Sequence, residues 1–442
     1  MSEQVLTITA YDNRYNLLLS VRREGSSKFG DDNKWGTFPS ASLGWTISNE
    51  KFMKDIKWID NLKLRFGFGV TGVIPNDPYQ SLTRYSYGSI YYMDGNSWKQ
   101  GLEVASNPNS DLRWEKSTEY NLGIDFSVLQ NRLGMSVDIY NKKTTDLLFT
   151  YNVPTPPNLY SKTFANGGSV RNRGIEIAVN ATPIQSKDFQ WKTIFTLAHN
   201  SNKLLSLSNG IYESNSYMDV NQMRGLFSSY THRIEEGQPL GQFYGLKSVG
   251  VSENGLFLIE KPDGEVVEYN STYQSKDEYK QYLGNGLPKV YLGWSNTFKY
   301  KNWDLSMQFT SQLGFKILNC PRMYYENNST HFNKLKSVEK APYGGEYVLS
   351  AQQPATFVDY YLENGNFLKL TNLSIGYTFP LKKNKYIQGA RAYLSGDNLF
   401  CLTGYSGLDP ELSNASPTSA GLDSREKYPS IRSFTFGVNL TF

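Results

Sequence analysis

SFTFGVNLTF, Ser433 to Phe442, closes the sequence on a strict alternation. Phe434, Phe436, Val438, Leu440 and Phe442 fall on one face of an extended chain, and Ser433, Thr435, Gly437, Asn439 and Thr441 on the other. Two structures show that pattern. One is a half-buried edge strand of a soluble sheet, with Phe442 as a core residue. The other is a transmembrane β-strand, for which about ten tilted residues suffice to cross a bilayer and a terminal aromatic suits the interfacial girdle.

The rest of the chain repeats the pattern. Leu62, Leu64, Phe66, Phe68 and Val70 alternate with Lys63, Arg65, Gly67 and Gly69. Leu122, Ile124, Phe126 and Val128 alternate with Gly123, Asp125 and Ser127; Ile175, Ile177 and Val179 alternate with Glu176, Ala178 and Asn180. About thirteen such segments can be counted: 4–11, 15–23, 40–48, 62–72, 113–128, 132–149, 168–183, 189–206, 289–300, 303–314, 367–379, 390–402 and 432–442. Near Thr371-Asn372 the phase slips by one residue, which predicts a β-bulge.

The connections separate sandwich from barrel. The stretches 24–39, 73–112, 150–167, 207–288, 315–366 and 403–431 are long and polar, whereas 129–131, 184–188, 301–302 and 380–389 are mostly tight. Long and short alternate, so every long connection lies at one end. A sandwich has no reason for this; an outer-membrane barrel with short periplasmic turns and long extracellular loops does. The expected fold is therefore all-β, an antiparallel transmembrane β-barrel wall whose last strand ends in the periplasm. Residues 49–61 make a longer turn in which Phe52, Ile56 and Ile59 suggest one or two helical turns forming a small periplasmic cap.

Composition agrees and narrows the function. Lys and Arg number 45 against 41 Asp and Glu, interspersed, so the net charge of +4 gives no basic stripe and no case for nucleic acid. Aromatics reach 14%, with 32 Tyr, at a mean hydropathy of −0.50. Tyr and Trp at that density suit a wall whose apolar band meets water at both rims. No run approaches the about 18 apolar residues of a membrane helix, a test that says nothing against a barrel. Cys320 and Cys401 form no metal spacing and no disulfide framework. Met1 is followed by SEQVLTITA, which lacks the basic start and apolar run of a signal peptide, so a fragment or mature segment is expected.

Chemistry-bearing motifs are scarce, and no enzyme is expected. His199, His232 and His331 lie in separate segments, and His199 is read as an inward-facing, solvated residue of its strand. GFGVTG and NGLPK open no helix and are not phosphate cradles, so no cofactor is called for. Asp31-Asp32 and Asp409-Pro-Glu411 lack the spacing of a calcium loop and read as solvated turns, leaving no metal site. What stands out instead is aromatic loop surface. Residues 79–98 carry Tyr85, Tyr87, Tyr91, Tyr92 and Trp98 without clean alternation across the stretch, and Tyr324 and Tyr325 lie in another long loop. Such rings either pack on neighbours or stack a sugar or grip a peptide; the second reading makes these seven the candidate ligand contacts.

Several phrases together resemble one family. KFGDDNKWGTFPSASLGWTISNEKFM (28–53), LKLRFGFGVTG (62–72), LRWEKSTEYNLGIDFSVLQNRL (112–133), GSVRNRGIEIAV (168–179), GNFLKLTNLSIGYTFP (365–380), DNLFCLTGYSGLDPEL (397–412) and the last strand look like the barrel of SusC/RagA-type TonB-linked outer-membrane proteins. NRGIEI and GYSGLDPEL are the most specific pieces. The resemblance implies a bacterial outer-membrane importer of glycans or peptides, with a barrel of about 22 strands around an N-terminal plug. It also implies a SusD-like lipoprotein lid, energy delivered through TonB, and a C-terminal signal read by the barrel-assembly machinery, here Phe434, Phe436, Val438, Leu440 and Phe442. By that comparison residues 1–442 correspond to the C-terminal portion of the barrel, without plug or N-terminal strands. The competing expectation is a surface protein whose barrel only anchors adhesive loops.

Overall fold

The computed structural model describes residues 2–208, 216–223, 229–331, 333–381, 386–412 and 416–442. Thirteen strands form one antiparallel sheet in chain order. They are β1 (Ser2–Tyr11), β2 (Tyr15–Gly25), β3 (Trp35–Thr46), β4 (Ile59–Val73), β5 (Glu115–Val128), β6 (Leu133–Thr145) and β7 (Ser169–Gln185). Then follow β8 (Phe189–Ser206), β9 (Val290–Tyr300), β10 (Trp303–Leu313), β11 (Phe367–Phe379), β12 (Gly389–Thr403) and β13 (Ser433–Thr441). These are the thirteen alternating segments. The slip at Thr371 is a bulge: Leu370 pairs with Phe309 and Asn372 with Gln308, leaving Thr371 unpaired. The ends of the sheet are β1 and β13, and among the described residues neither has a strand on its outer side.

Register sorts the side chains into two faces, because directly opposed residues point the same way. Leu64, Ile124, Val137, Ile177, Leu197 and Leu292 lie in one cross-strand row, as do Leu305, Ile375, Leu394 and Phe436. On this face Leu43, Phe66, Ile139, Trp294 and Leu394 are exposed, and Phe434 and Phe436 are 71% and 73% exposed. So much contiguous apolar surface is untenable in water and is what a lipid-facing wall requires. Rings gather at its short-turn rim: Tyr11 stacks on Tyr15, Trp58 meets Phe126 edge-on, Trp191 stacks on Phe298, and Trp303 packs against Tyr377. Phe442 lies just past the end of β13, exposed. Among the described residues no helix is long and apolar enough to cross a membrane.

The short-turn end is built as expected. Asp12 and Asn13 take left-handed conformations between β1 and β2, which a tight hairpin needs. Two 3-10 turns, Ile47–Asn49 and Lys51–Met53, open the connection into 49–61, clamped to the first hairpin by Arg14 and Tyr15 on Glu50; of the three apolar residues expected to mark helical turns only Phe52 lies in one, and Ile59 already begins β4. Residues 382–385 of the 380–389 turn lie outside the described residues.

At the other end the expectation of polar loops fails. The connections after β8 and β10 fold together into a module with its own sheet. Its strands are Tyr217–Gln222, Tyr230–Glu235, Gln242–Val251, Phe257–Glu260, Val266–Glu268 and Lys280–Asn285. Its core joins Phe243, Leu246, Phe257 and Ile259 to Leu318, Met323, Phe357 and Tyr361. Lys316–Asn319 pairs with Leu362–Asn364 and, in parallel, with Leu422–Asp423, so the connection after β12 is stitched in as well. Polar composition concealed this because the core residues are spread thinly over about 150 residues of loop, a length that favours folded structure of its own over bare coil.

Candidate functional site

The inner face of the wall is polar and carries ion pairs. Arg65 reaches Asp125 and Asp138 at 2.8 Å each, and its Nη2 also donates to Ser136. Arg391 pairs with Asp304. Both guanidinium groups lie flat over a glycine: a Cβ on Gly123 would come within 2.7 Å of the Arg65 Cζ, and one on Gly376 within 2.6 Å of the Arg391 Cζ. His199 does not belong to this face. It pairs with Ile175 and Val290, which puts it on the apolar side near the loop end, with Nδ1 2.7 Å from the Lys289 carbonyl. Its assignment as an inward residue is corrected by this register.

The seven candidate ligand contacts divide. Residues 84–106 form a hairpin, Arg84–Asp94 against Ser97–Ser106, with register shifts that disguised its alternation. On it Tyr85, Tyr87, Tyr91, Tyr92 and Trp98 are all exposed. Tyr324, in contrast, is only 3% exposed in the module core, beneath the Arg425 guanidinium, and Tyr325 packs partly buried against the same core. A ring enclosed by its own module cannot stack a ligand, so Tyr324 drops out as a contact.

The motif GYSGLDPEL has a structural use that turn composition did not reveal. Asp409 is not a solvated turn residue: it is 4% exposed, with the Lys369 Nζ at 2.9 Å from its carboxylate and at the same distance from Glu411. Ser430 also donates to Asp409. This buried clasp fastens the last long connection to the start of β11. A second tie is His232, buried, with Nδ1 2.8 Å from the Thr231 hydroxyl and Nε2 2.8 Å from the Ala420 carbonyl. Burial pulls its imidazole down to about 4. Asp359, partly buried where Ser248 donates to it from N and Oγ, is shifted upward by desolvation.

Where β8, β9 and β10 reach the module, a cleft of about 750 Å³ opens. Six carboxamides line it, Asn200, Asn202, Gln242, Asn285, Asn364 and Asn366, together with Lys289, Lys316 and the rings of Tyr291 and Phe315. Several spend their oxygens on the local backbone, Asn202 accepting from Leu240 N, Asn285 from Leu287 N and Asn366 from Gly314 N, each within 2.7 Å. That fixes their orientation. The amide N–H groups of Asn202 and Asn366 are left without a protein partner among the described residues, ready to donate to carbonyls or hydroxyls. The short runs HNSN (199–202) and NGN (364–366) were visible in the sequence, but only the fold sets them beside each other. Among the described residues no group of three His, Cys, Asp or Glu is placed to hold a metal ion.

Comparison with known proteins places this geometry. Residues 6–399 match the family model described as TonB dependent receptor-like, beta-barrel. The chain is 32% identical to TonB-dependent receptor P3 of Formosa agariphila over 98% of its own length and 44% of that protein. It is 31% identical to TonB-dependent receptor SusC of Bacteroides thetaiotaomicron over 97% of its own length and 42% of SusC. Among solved structures, the RagAB peptide transporter superposes over the whole chain and 47% of the matched chain, at a TM-score of 0.84 and 25% identity. The chain thus spans less than half the length of these relatives.

Proposed function

The chain belongs to the TonB-dependent receptor family, in its SusC/RagA branch, and is an outer-membrane β-barrel protein; from that premise we propose that it forms part of the wall of a nutrient importer. The observation that carries the reading is the two-faced sheet: an exposed apolar belt outside, a polar and ion-paired face inside, and every long connection at one end. Such a wall separates lipid from a water-filled path. The carboxamide cleft lies at the loop end of that path and suits a hydrogen-bonding chain such as an oligosaccharide or peptide backbone.

In the proposed working form, the remainder of the receptor supplies the plug and the TonB contact, and a SusD-like lipoprotein covers the loop module. The exposed aromatics of the 84–106 hairpin are contacts for the cargo or the lid. Phe434, Phe436, Val438, Leu440 and Phe442 serve as the strand recognised during barrel assembly. The test is energised uptake: a strain lacking the full-length receptor should lose uptake of its glycan or peptide nutrient, and complementation should restore it only with an intact proton gradient. Unchanged uptake in the deletion strain would sink the import reading and favour a barrel that anchors adhesive loops.

A further inference from the structure

A second cleft, of about 740 Å³, lies within the loop module, away from the carboxamide cleft. The helix Cys320–Tyr325, the 3-10 turns Lys336–Glu339 and Pro342–Gly344, and residues 406–408 and 423–427 surround it. Its charges do not cancel. Arg322 is spent on Glu326 at 2.7 Å and Glu363 at 3.2 Å, and lies over the Tyr360 ring. Arg425 and Lys340 are exposed and have no ion-pair partner among the described residues. Arg425 is held by its face alone, 3.8 Å above the Tyr324 ring, which leaves its N–H edges free to meet an anion. Lys427 donates to the Asp409 and Glu411 carbonyls, so its charge stays uncompensated. Against these three cations stands Asp423, buried and bonded by the Tyr405 hydroxyl at 2.5 Å.

The independent observation is Tyr343. It sits at φ 58°, a left-handed conformation that is costly for a bulky aromatic and persists only where the surroundings impose it. What imposes it is visible. The Tyr343 hydroxyl is pinned to the side chain and carbonyl of Ser248, and its ring leans on Tyr360 at 4.9 Å between centroids. The result is a ring 50% exposed at the cleft. A fixed, half-open aromatic face beside unpaired cations is a platform for an amphipathic ring that carries negative charge.

We propose that this cleft binds a sugar unit bearing a carboxylate or sulfate group, its ring stacked on Tyr343 and its anion held by Arg425 and Lys340. The inference rests on the import reading and narrows it, since it names acidic saccharide as the cargo class recognised on the loop module. An acidic peptide would satisfy the cations but gain little from the strained ring, which is why saccharide is favoured.

The experiment is calorimetric titration of the full-length receptor, purified in detergent with any lipoprotein that accompanies it. The probes are trigalacturonate, a chondroitin sulfate tetrasaccharide, maltotriose and triglutamate. At least one acidic saccharide should bind about tenfold or more tightly than maltotriose and triglutamate, and its affinity should fall as salt is raised. Arg425→Gln and Tyr343→Gly should each weaken it about tenfold, with heat-modifiable mobility unchanged. Tyr343→Gly relieves the left-handed backbone but also removes the Ser248 and Tyr360 contacts, so Arg425→Gln, at an exposed position, decides the outcome if that turn loosens. Lys340→Gln, at an exposed position, gives a third variant expected to weaken binding. Triglutamate binding as tightly as the sugars, neither acidic sugar binding, or binding that survives both Arg425→Gln and Lys340→Gln would overturn the proposal. Uptake fails separately: a receptor that binds acidic sugars here but imports nothing refutes import and leaves the cleft standing.

Discussion

Arginine placed on the two faces of β5 should have opposite consequences, with a size set by depth. Leu122 lies six residues from the Val128 end of the strand and on the apolar face, between Phe66 and Ile139. At about 3.3 Å per residue and a tilt near 45°, six residues climb ~14 Å along the membrane normal, close to the middle of an apolar band about 25 Å tall. Leu122→Arg should therefore cost about 2–4 kcal/mol. Phe126, two residues from the same end, climbs only ~5 Å and sits beside Trp58 in the aromatic rim, so Phe126→Arg should cost about 0–1 kcal/mol. Asn121 faces inward between Gly67 and Tyr140, and Asn121→Arg should be tolerated. The assay is urea titration of the full-length receptor in phosphatidylcholine vesicles, read by heat-modifiable mobility. If Asn121→Arg cost as much as Leu122→Arg the facing assignment would be wrong, and if Phe126→Arg cost more than Leu122→Arg the depth assignment would be wrong.

Lys369→Met should strand Asp409 as a buried, unpaired carboxylate at a cost of about 3–5 kcal/mol, seen as new protease cleavage within 403–431 while the wall stays heat-modifiable. Gly123→Ala should cost about 1–3 kcal/mol by displacing Arg65 from Asp125 and Asp138, whereas Gly404→Ala, with open space around its Cβ position, should cost far less in the same titration. Because the His232 imidazole is held at about 4 in the fold, the unfolded chain binds more protons between about 6.5 and 4. Its contribution is complete above about 6.5 and lost as pH falls to 4, so the protection of the Tyr230–Glu235 amides, relative to their intrinsic exchange rate at each pH, should fall over that window, and less so in His232→Gln. Deleting Phe442 should lower barrel yield in the outer membrane more than Phe434→Ala does; equal yields for the deletion and the parent would rule out an assembly role.

The wall was legible in the sequence because a strand buried on neither face announces itself twice, in alternation and in the length of its connections. Even the bulge at Thr371 shows in the phase of the side chains. Loop residues carry no such period. Asp409 looks like any turn aspartate until Lys369, forty positions earlier, is seen beside it. The 84–106 hairpin hid because its pairing shifts at Tyr85 and again between Tyr87 and Tyr91, which destroys alternation. His199 was misplaced for a related reason: a polar residue on the apolar side near a strand end looks inward if polarity is taken for direction. The Ile175 and Val290 pairings correct it.

The module also explains why the carboxamide cleft has a defined shape. A free loop of some eighty residues would sample many conformations, and ordering it around a ligand would cost affinity at each binding event. Here the ordering is done by an apolar core that owes nothing to the ligand. One bond joins wall to module at the cleft: Asn202 of β8 accepts from Leu240 N at 2.6 Å. Within the module Asn285 donates to the Leu240 carbonyl at 2.9 Å, and on the wall Asn366, just before β11, accepts from Gly314 N, just after β10, at 2.6 Å. Residues that line the cleft thus also hold its sides in place. A ligand that competed for the Asn202 or Asn366 oxygen would loosen these ties, whereas one that used only the amide N–H groups of those two residues would leave them intact. The proposed preference for acceptor-rich chains rests on those two free N–H groups, which the fold orients through their own oxygens.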